Sequence, residues 1–343
     1  MNKKIRVAIN GAGRIGRGFL RLAQNVPEIE VIAVNDLGDI ENIAYLLKYD
    51  TVYGSAQFPI SVSEDKSGLV INTKEVKFFS VKEPKELPWK DLNIDVVIEA
   101  TGAFNSFEKS KPHIEAGAKR VIITAPAKDN PTDETEATIL MGINDEKLST
   151  CQISSNASCT TNAAAPLIQI LNEKIGIEKA ILNTIHGYTA SQSMVDGPNK
   201  KDWKEGRAGA QNIVPTSTGA AIAVTKAIPD LEGKFDGLAM RVPIISGSIA
   251  DVTFIAKRET SVEEINKILK EGATEERWQG IFTVTSDPIV SSDIIGSLYG
   301  SIADLGLTKV VDKNLVKVCA WYDNEIGYTA TLIKHVIKIG EFL

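Results

Sequence analysis

The 343-residue sequence predicts an α/β chain, with a doubly wound parallel sheet in its first part and, after it, an α+β domain built on a mixed, largely antiparallel sheet. Three observations carry that reading. Short apolar strands alternate with helical patterns up to about Ile123, an order that implies parallel pairing through crossover helices. A glycine-rich turn lies between the first strand and the first helix, where doubly wound folds carry one. From about Cys159 the strands become alternating and the connections lengthen, which suits a mixed sheet.

The first strand is Ile5 to Asn10, and its helix runs to about Val26. A second strand, Val31 to Val34, precedes Ile40, Ile43, Ala44 and Leu47 at helical spacing. Phe58 to Phe79 is extended and punctuated by turns, and is expected to add antiparallel strands. Strands return at Asp95 to Ala100, Arg120 to Ile123 and Thr138 to Met141. In the second part a helix over Thr161 to Lys174 feeds a strand over Glu178 to His186. A polar, Gly-containing stretch from Gly187 to Gln211 comes next, too long for an ordinary connector and so expected to be functional. Further strands are expected at Leu238 to Arg241, Ser248 to Ala256, Phe282 to Thr285 and Lys317 to Tyr322. A terminal helix from Tyr328 to about Ile337 could return to either domain.

Composition excludes several classes. With 43% apolar and 24% charged residues the chain matches ordinary globular proteins, not disordered ones. Thirty-eight basic against 44 acidic residues leave a net charge of −6, which argues against a broad nucleic-acid-binding face and against a polybasic membrane anchor. Small anionic ligands at local sites stay open. No apolar run passes about five residues, far short of the roughly 20 of a membrane-spanning helix. Met1 to Lys4 resembles a signal n-region, but Arg6, Asn10 and Gly11 break up any apolar h-region after it, so the expected address is the cytoplasm. Three cysteines without a CxxC fit neither a disulfide framework nor a zinc site, and no metal is expected.

Gly11-Ala12-Gly13-Arg14-Ile15-Gly16 is a GxGxxG at a strand-to-helix turn, which lets backbone N–H groups approach a pyrophosphate. Asp36 closes the second strand 20 residues past Gly16, where an acid binds a ribose 2′-hydroxyl and repels a 2′-phosphate; this favours NAD and a Rossmann domain. Among the cysteines, Cys151 and Cys319 look like small buried hydrophobes, whereas Cys159 sits at a helix N-terminus, where the dipole lowers a thiol pKa. His186 closes an apolar strand before the long polar stretch; it reads either as a hydrogen-bonded strand-end residue or as the base that would serve Cys159. His113 and His335 are expected on solvated helix faces. Thr189, Thr218, Gly219 and Arg241 add donors of the kind that hold phosphate, although Ser158, Thr160 and Thr218 could equally be helix caps and Arg241 an ordinary salt-bridge partner.

Asn10 to Arg17, Ser155-Asn156-Ala157-Ser158-Cys159-Thr160-Thr161-Asn162 and Trp321-Tyr322-Asp323-Asn324-Glu325 together resemble the phosphorylating glyceraldehyde-3-phosphate dehydrogenases. The likeness runs essentially end to end, through Leu47 to Asp50, Ala125 to Lys128, Val195 to Pro198, Pro215 to Ala221 and Arg241 to Pro243. It implies an NAD-binding domain over residues 1–158 completed by a C-terminal helix at 324–343, and a catalytic domain over 159–323 whose S-loop covers about 187–211. It implies that Cys159 forms a hemithioacetal and then a thioester with glyceraldehyde 3-phosphate, that His186 is the base, and that inorganic phosphate releases 1,3-bisphosphoglycerate. Gly11, Gly13, Arg14, Ile15, Gly16, Asp36, Lys82, Thr124 and Asn324 are then expected at NAD; Ser158, Thr160, Thr189, Thr218, Gly219 and Arg241 at the two phosphates. A homotetramer in glycolysis or gluconeogenesis is implied as well. Three positions depart from the common pattern: Ala163 where many members carry a second cysteine, Lys82 where an arginine is usual, and Ile326 in place of an aromatic residue. Two alternatives are an erythrose-4-phosphate dehydrogenase and a secondary non-enzymatic role in RNA binding, the latter disfavoured by the acidic balance.

Overall fold

The computed structural model describes residues 4–200 and 202–343; Met1–Lys3, which begin both the n-region-like start and the expected first domain, and Lys201, within the expected S-loop, lie outside the described residues. The chain divides into two compact units. One comprises Met1–Ile139, Asn144–Ala157 and Leu332–Leu343; the other comprises Leu140–Ile143 and Ser158–Thr331.

The first unit holds a nine-stranded sheet. Its strands are β1 (Ile5–Asn10), β2 (Ile29–Asn35), β3 (Ile60–Val62), β4 (Gly68–Ile71), β5 (Lys74–Phe79), β6 (Val96–Glu99), β7 (Arg120–Ile123), β8 (Glu136–Thr138) and β9 (Ile153–Ser155). They lie in the order β3-β4-β5-β2-β1-β6-β7-β9-β8. Pairing is parallel from β5 through to β8, and β3 and β4 add antiparallel at one edge. Val7, Ile9, Val96 to Ile98 and Val121 to Ile123 are all shielded from solvent, the continuous apolar runs of strands covered on both faces. Helices α1 (Arg14–Ala23), α2 (Ile40–Lys48) and α3 (Phe107–Glu115) supply crossovers. Since β2 lies on one side of β1 and β6 on the other, the chain changes direction at the carboxyl ends of β1 and β6, where open α/β sheets bind ligands.

The second unit is built on β10 (Ile177–Gly187), β11 (Val214–Ser217), β12 (Phe235–Val242), β13 (Ser248–Ala256), β14 (Phe282–Thr285), β15 (Ser301–Asp304), β16 (Lys309–Val311) and β17 (Leu315–Tyr322). The order is β11-β12-β10-β13-β17-β15-β14, with β16 also paired to β17, and only β10–β12 and β14–β15 are parallel. β13 alternates buried and half-buried along its whole length, the period of a sheet with one face on a core. Helices α4 (Cys159–Ile175), α5 (Ala220–Ala227) and α6 (Val262–Gly272) belong to this unit. The last helix, α7 (Ile326–Gly340), has its residues up to Thr331 in the second unit and the rest in the first.

Several expectations need correction. α1 stops at Ala23, three residues early, in a run of turns through Val26. The strand expected at Thr138 to Met141 lies earlier, at Glu136 to Thr138, with the Ile139 amide still donating to the Ser155 carbonyl at 2.9 Å. α7 starts two residues before Tyr328, where the Asp323 carboxylate caps the amides of Glu325 and Ile326.

Candidate active site

At the end of β1 the chain turns sharply. Gly11 has φ +101°, and a Cβ there would stand 2.6 Å from the Ala100 carbonyl carbon, so only glycine fits. A Cβ on Gly16 would collide with the Gly11 carbonyl oxygen, so this glycine lets α1 press onto the turn. Gly13 differs: a Cβ there would meet nothing within 4 Å. Gly13 caps α1 without a side-chain acceptor, and no acid lies in the first turn. An open cradle at the positive end of a helix fits a pyrophosphate.

Asp36, immediately after β2, is fixed beside that turn: its Oδ2 accepts from the Ala12 amide at 2.7 Å and its Oδ1 from the Gly38 amide at 2.8 Å. Ile15 is half-buried in the first turn of α1, Lys82 is exposed just after β5, and Thr124 follows β7 with its hydroxyl donating to the Glu99 carbonyl at 3.0 Å. Arg14 is directed sideways. Its guanidinium pairs with Asp50 and lies 5.6 Å from the centre of the Tyr53 ring.

In the second unit Cys159 is the first residue of α4, capped by a reciprocal Ser158–Thr161 pair in which Ser158 Oγ accepts from the Thr161 amide at 3.0 Å. Thus Ser158 is a helix cap, one of the two readings open from the sequence. His186 is the penultimate residue of β10, and its Nε2 lies 3.4 Å from Cys159 Sγ. Its Nδ1–H donates to the Gly187 carbonyl at 2.7 Å, which leaves the Nε2 lone pair facing the thiol. Burial pulls His186 down to about 3, and the Arg241 guanidinium adds to the drop. Burial also pushes the Cys159 thiol up, against the pull of Arg241 and of the Thr160 amide and hydroxyl. The expected lowering by the helix dipole is therefore outweighed by desolvation in the free protein. Neither group ionises readily alone; a proton passed between them keeps the charges paired.

Arg241 on β12 stands in register with His186 on β10. Its Nε and Nη1 are buried with no hydrogen-bond partner. Thr160 is buried and bonded to the Tyr322 hydroxyl at 2.8 Å, and that hydroxyl also reaches Thr184 Oγ1 at 2.7 Å. Thr189 is half-buried, Thr218 Oγ1 accepts from the Ala220 amide at 3.2 Å, and Gly219 begins α5 with open space at its Cα. Asn324 is buried in this unit. Its Oδ1 accepts from the Gly247 amide at 2.9 Å and from the Ser248 and Ser246 hydroxyls, so its Nδ2 is the end turned outward to donate.

The two remaining histidines overturn their expectation: His113 and His335 are both fully buried. His335 is locked between Ser154 Oγ and Asn156 Oδ1, each at 3.0 Å, and burial lowers it to about 3. Tyr322 is a site residue that the sequence did not single out; its ring edge meets His186 at 5.9 Å between centres, and its place at the end of the strand containing Cys319 was the available signal. Among the departures, Ala163 is buried inside α4, Ile326 is buried at the start of α7 and Lys82 faces solvent.

Comparison with known proteins agrees with this layout. Residues 5–107 match the model of the glyceraldehyde 3-phosphate dehydrogenase NAD binding domain, and residues 158–324 that of the C-terminal domain. The chain is 48% identical to the glyceraldehyde-3-phosphate dehydrogenase of Clostridium acetobutylicum over 334 residues, 96% of each chain. It is also 48% identical to the same enzyme from Mycobacterium avium over 346 residues and from Mycolicibacterium smegmatis over 347, 99% of each chain.

Proposed function

The chain belongs to the glyceraldehyde 3-phosphate dehydrogenase family of NAD-dependent glycolytic oxidoreductases, and from that premise we propose that it converts glyceraldehyde 3-phosphate and inorganic phosphate to 1,3-bisphosphoglycerate through covalent chemistry at Cys159. The observation that carries this reading is the pairing of a half-buried Arg241, whose Nε and Nη1 are buried without a partner, with a thiol and imidazole in hydrogen-bond contact. Buried guanidinium nitrogens left unsatisfied call for an acceptor, and a phosphate-bearing aldehyde supplies one beside the nucleophile.

Cys159 Sγ attacks the aldehyde carbon while its proton moves to His186 Nε2, the acceptor that the Gly187 carbonyl holds in place. His186 returns the proton to the alkoxide, giving the hemithioacetal, and takes it back as hydride leaves to form the thioester. NAD, when bound, supplies the hydride acceptor. Inorganic phosphate then attacks the thioester carbonyl, the C–S bond breaks, and the departing thiolate is met by the imidazolium. Arg241, the Thr189 and Thr218 hydroxyls, the Gly219 backbone and the first turn of α4 around Ser158 and Thr160 are the groups assigned to the two phosphates. Gly11 to Gly16, Asp36, Lys82 and Thr124 are assigned to the dinucleotide, and Asn324 Nδ2 to the carbonyl of its carboxamide.

Met194, Val195 and Trp203 in the segment after His186, and Ile213 beyond it, are exposed apolar side chains, and we assign them to contacts with further copies of the chain in a homotetramer, testable by light scattering. Three free thiols suit a reducing cytoplasm. The deciding experiment is the initial rate of NADH formation with and without inorganic phosphate, for wild type and Cys159→Ser. Phosphate-dependent turnover lost in the variant supports the proposal; a clear preference for erythrose 4-phosphate, or turnover surviving the substitution, contradicts it.

A further inference from the structure

A second polar cluster lies in the first unit, and the chemistry above does not use it. Glu99, the last residue of β6, is completely shielded from solvent, yet four donors converge on its carboxylate. Oε2 accepts from Asn10 Nδ2 at 2.6 Å and from His113 Nε2 at 3.1 Å; Oε1 accepts from the Thr101 amide at 2.9 Å and from the Thr101 hydroxyl. The tautomer of His113 follows from its other side, where Trp89 Nε1–H donates to Nδ1 at 3.0 Å and so puts the ring proton on Nε2. The chain of bonds continues outward: Asn35 Nδ2 donates to Asn10 Oδ1 at 2.7 Å, and Asn35 Oδ1 accepts from the Val81 amide at 2.8 Å.

What the network touches is informative. Asn10 immediately precedes Gly11, Asn35 immediately precedes Asp36, and Val81 immediately precedes Lys82. The Thr101 amide nitrogen is also among the atoms on which Gly11 closes, 2.6 Å from where a Cβ would stand. The arms through Asn10, Thr101 and Asn35 therefore end beside positions assigned to the dinucleotide, while the arm through His113 is anchored on Trp89. A purely packing role at this depth could be filled by apolar side chains without desolvating a carboxylate, an imidazole and two carboxamides. A saturated polar network instead fixes its members in one arrangement.

We propose that Glu99 and His113 are positioning residues for the dinucleotide, tying the ends of β1, β2 and β6 and the segment after β5 into one rigid seat. The proposal rests on the assignment of the Gly11–Gly16 turn to the cofactor. Neither side chain contacts the dinucleotide; they act through Asn10, Thr101 and Asn35.

The test uses the full-length protein, with NAD affinity from calorimetry and steady-state constants measured side by side. Glu99→Gln and His113→Leu are each expected to raise the NAD Kd and KM about tenfold, with kcat at saturating NAD within about twofold of wild type. His113→Gln, whose side-chain amide can still donate to Glu99, is expected to recover most of the loss. NAD affinity within twofold of wild type in both first variants, or a His113→Gln as defective as His113→Leu, overturns the proposal, whatever the melting temperature does. If Glu99→Gln does not fold, Asn35→Leu, which cuts the network at its far end, is read by the same criteria. A Gly13→Ala control separates the two claims: unchanged NAD affinity there overturns the cofactor assignment itself, whereas a weakened Gly13→Ala beside normal Glu99 and His113 variants overturns only the positioning role.

Discussion

α1 and α4 both begin where the chain turns out of an extended segment, and they finish that turn in opposite ways. α1 opens on Gly13, with no side-chain cap and no acid in its first turn. α4 opens on Ser158, whose hydroxyl and that of Thr161 close a reciprocal capping pair. The first arrangement leaves the positive end of the helix to a visiting anion; the second satisfies the helix from within and gives its first position to a reactive side chain, Cys159. One helix start is a binding surface and the other a mount for a nucleophile. The difference is encoded in two residues, a glycine without a side chain and a serine with a short polar one.

The largest effect that would test this contrast is at the mount. Cys159→Ser is expected to lower turnover on the order of 10³-fold or more while NAD binding, measured by calorimetry, is retained. Loss of both together would mean that the two helix starts are not separable. At the binding surface, Gly16→Ala is expected to lower stability by a few kcal/mol, since its Cβ collides with backbone, as read from denaturant midpoints. Gly13→Ala is expected to cost about 1 kcal/mol or less, because its Cβ meets nothing, yet to weaken NAD about tenfold. Equal stability losses at the two glycines would break the division of roles argued for them.

Acid offers another probe. His186 and His335, both near 3 in the folded protein, bind a proton more readily in the unfolded chain, where a histidine sits near 6.5. Between those values the unfolded state holds the extra protons, so stability is full above about pH 6.5 and falls as the pH is lowered toward 3, by about 1.4 kcal/mol per pH unit for each histidine. His335→Gln is expected to flatten that slope in urea titrations, and an unchanged slope would contradict the burial argument. Ser158→Ala should cost about 1 kcal/mol through the lost cap. Smallest of all, Lys82→Arg is expected to shift NAD affinity by less than about threefold, because the side chain faces solvent; a large gain would show that an arginine fork reaches the dinucleotide there.

Both helix starts were legible from short motifs, because glycine spacing and a capping serine act within one turn of chain. The parallel order of the first sheet was legible for a similar reason, through alternation of short apolar runs with helical patterns. The histidines were not. His113 sits in a helix that reads as polar and His335 in the terminal helix, both expected on solvated faces, and what buries them is distant: Glu99 and Trp89 for the first, Ser154 for the second, on strands and loops far off in sequence. The side-chain direction of Arg14 was hidden for the same reason, since Asp50 lies beyond α2. Short strands such as β9, β11 and β15 carry three or four residues each, too few to show a period. Local chemistry can be read along the chain, whereas nonlocal partners decide which polar groups are buried.

The most direct test of the account is a rapid-mixing record of NADH formation with glyceraldehyde 3-phosphate and NAD in the absence of phosphate, followed by phosphate addition. A thioester that must wait for its acceptor gives a burst of one NADH per Cys159, a stall, and steady turnover once phosphate is present. Sustained turnover before phosphate is added, or a burst that persists in Cys159→Ser, would contradict it.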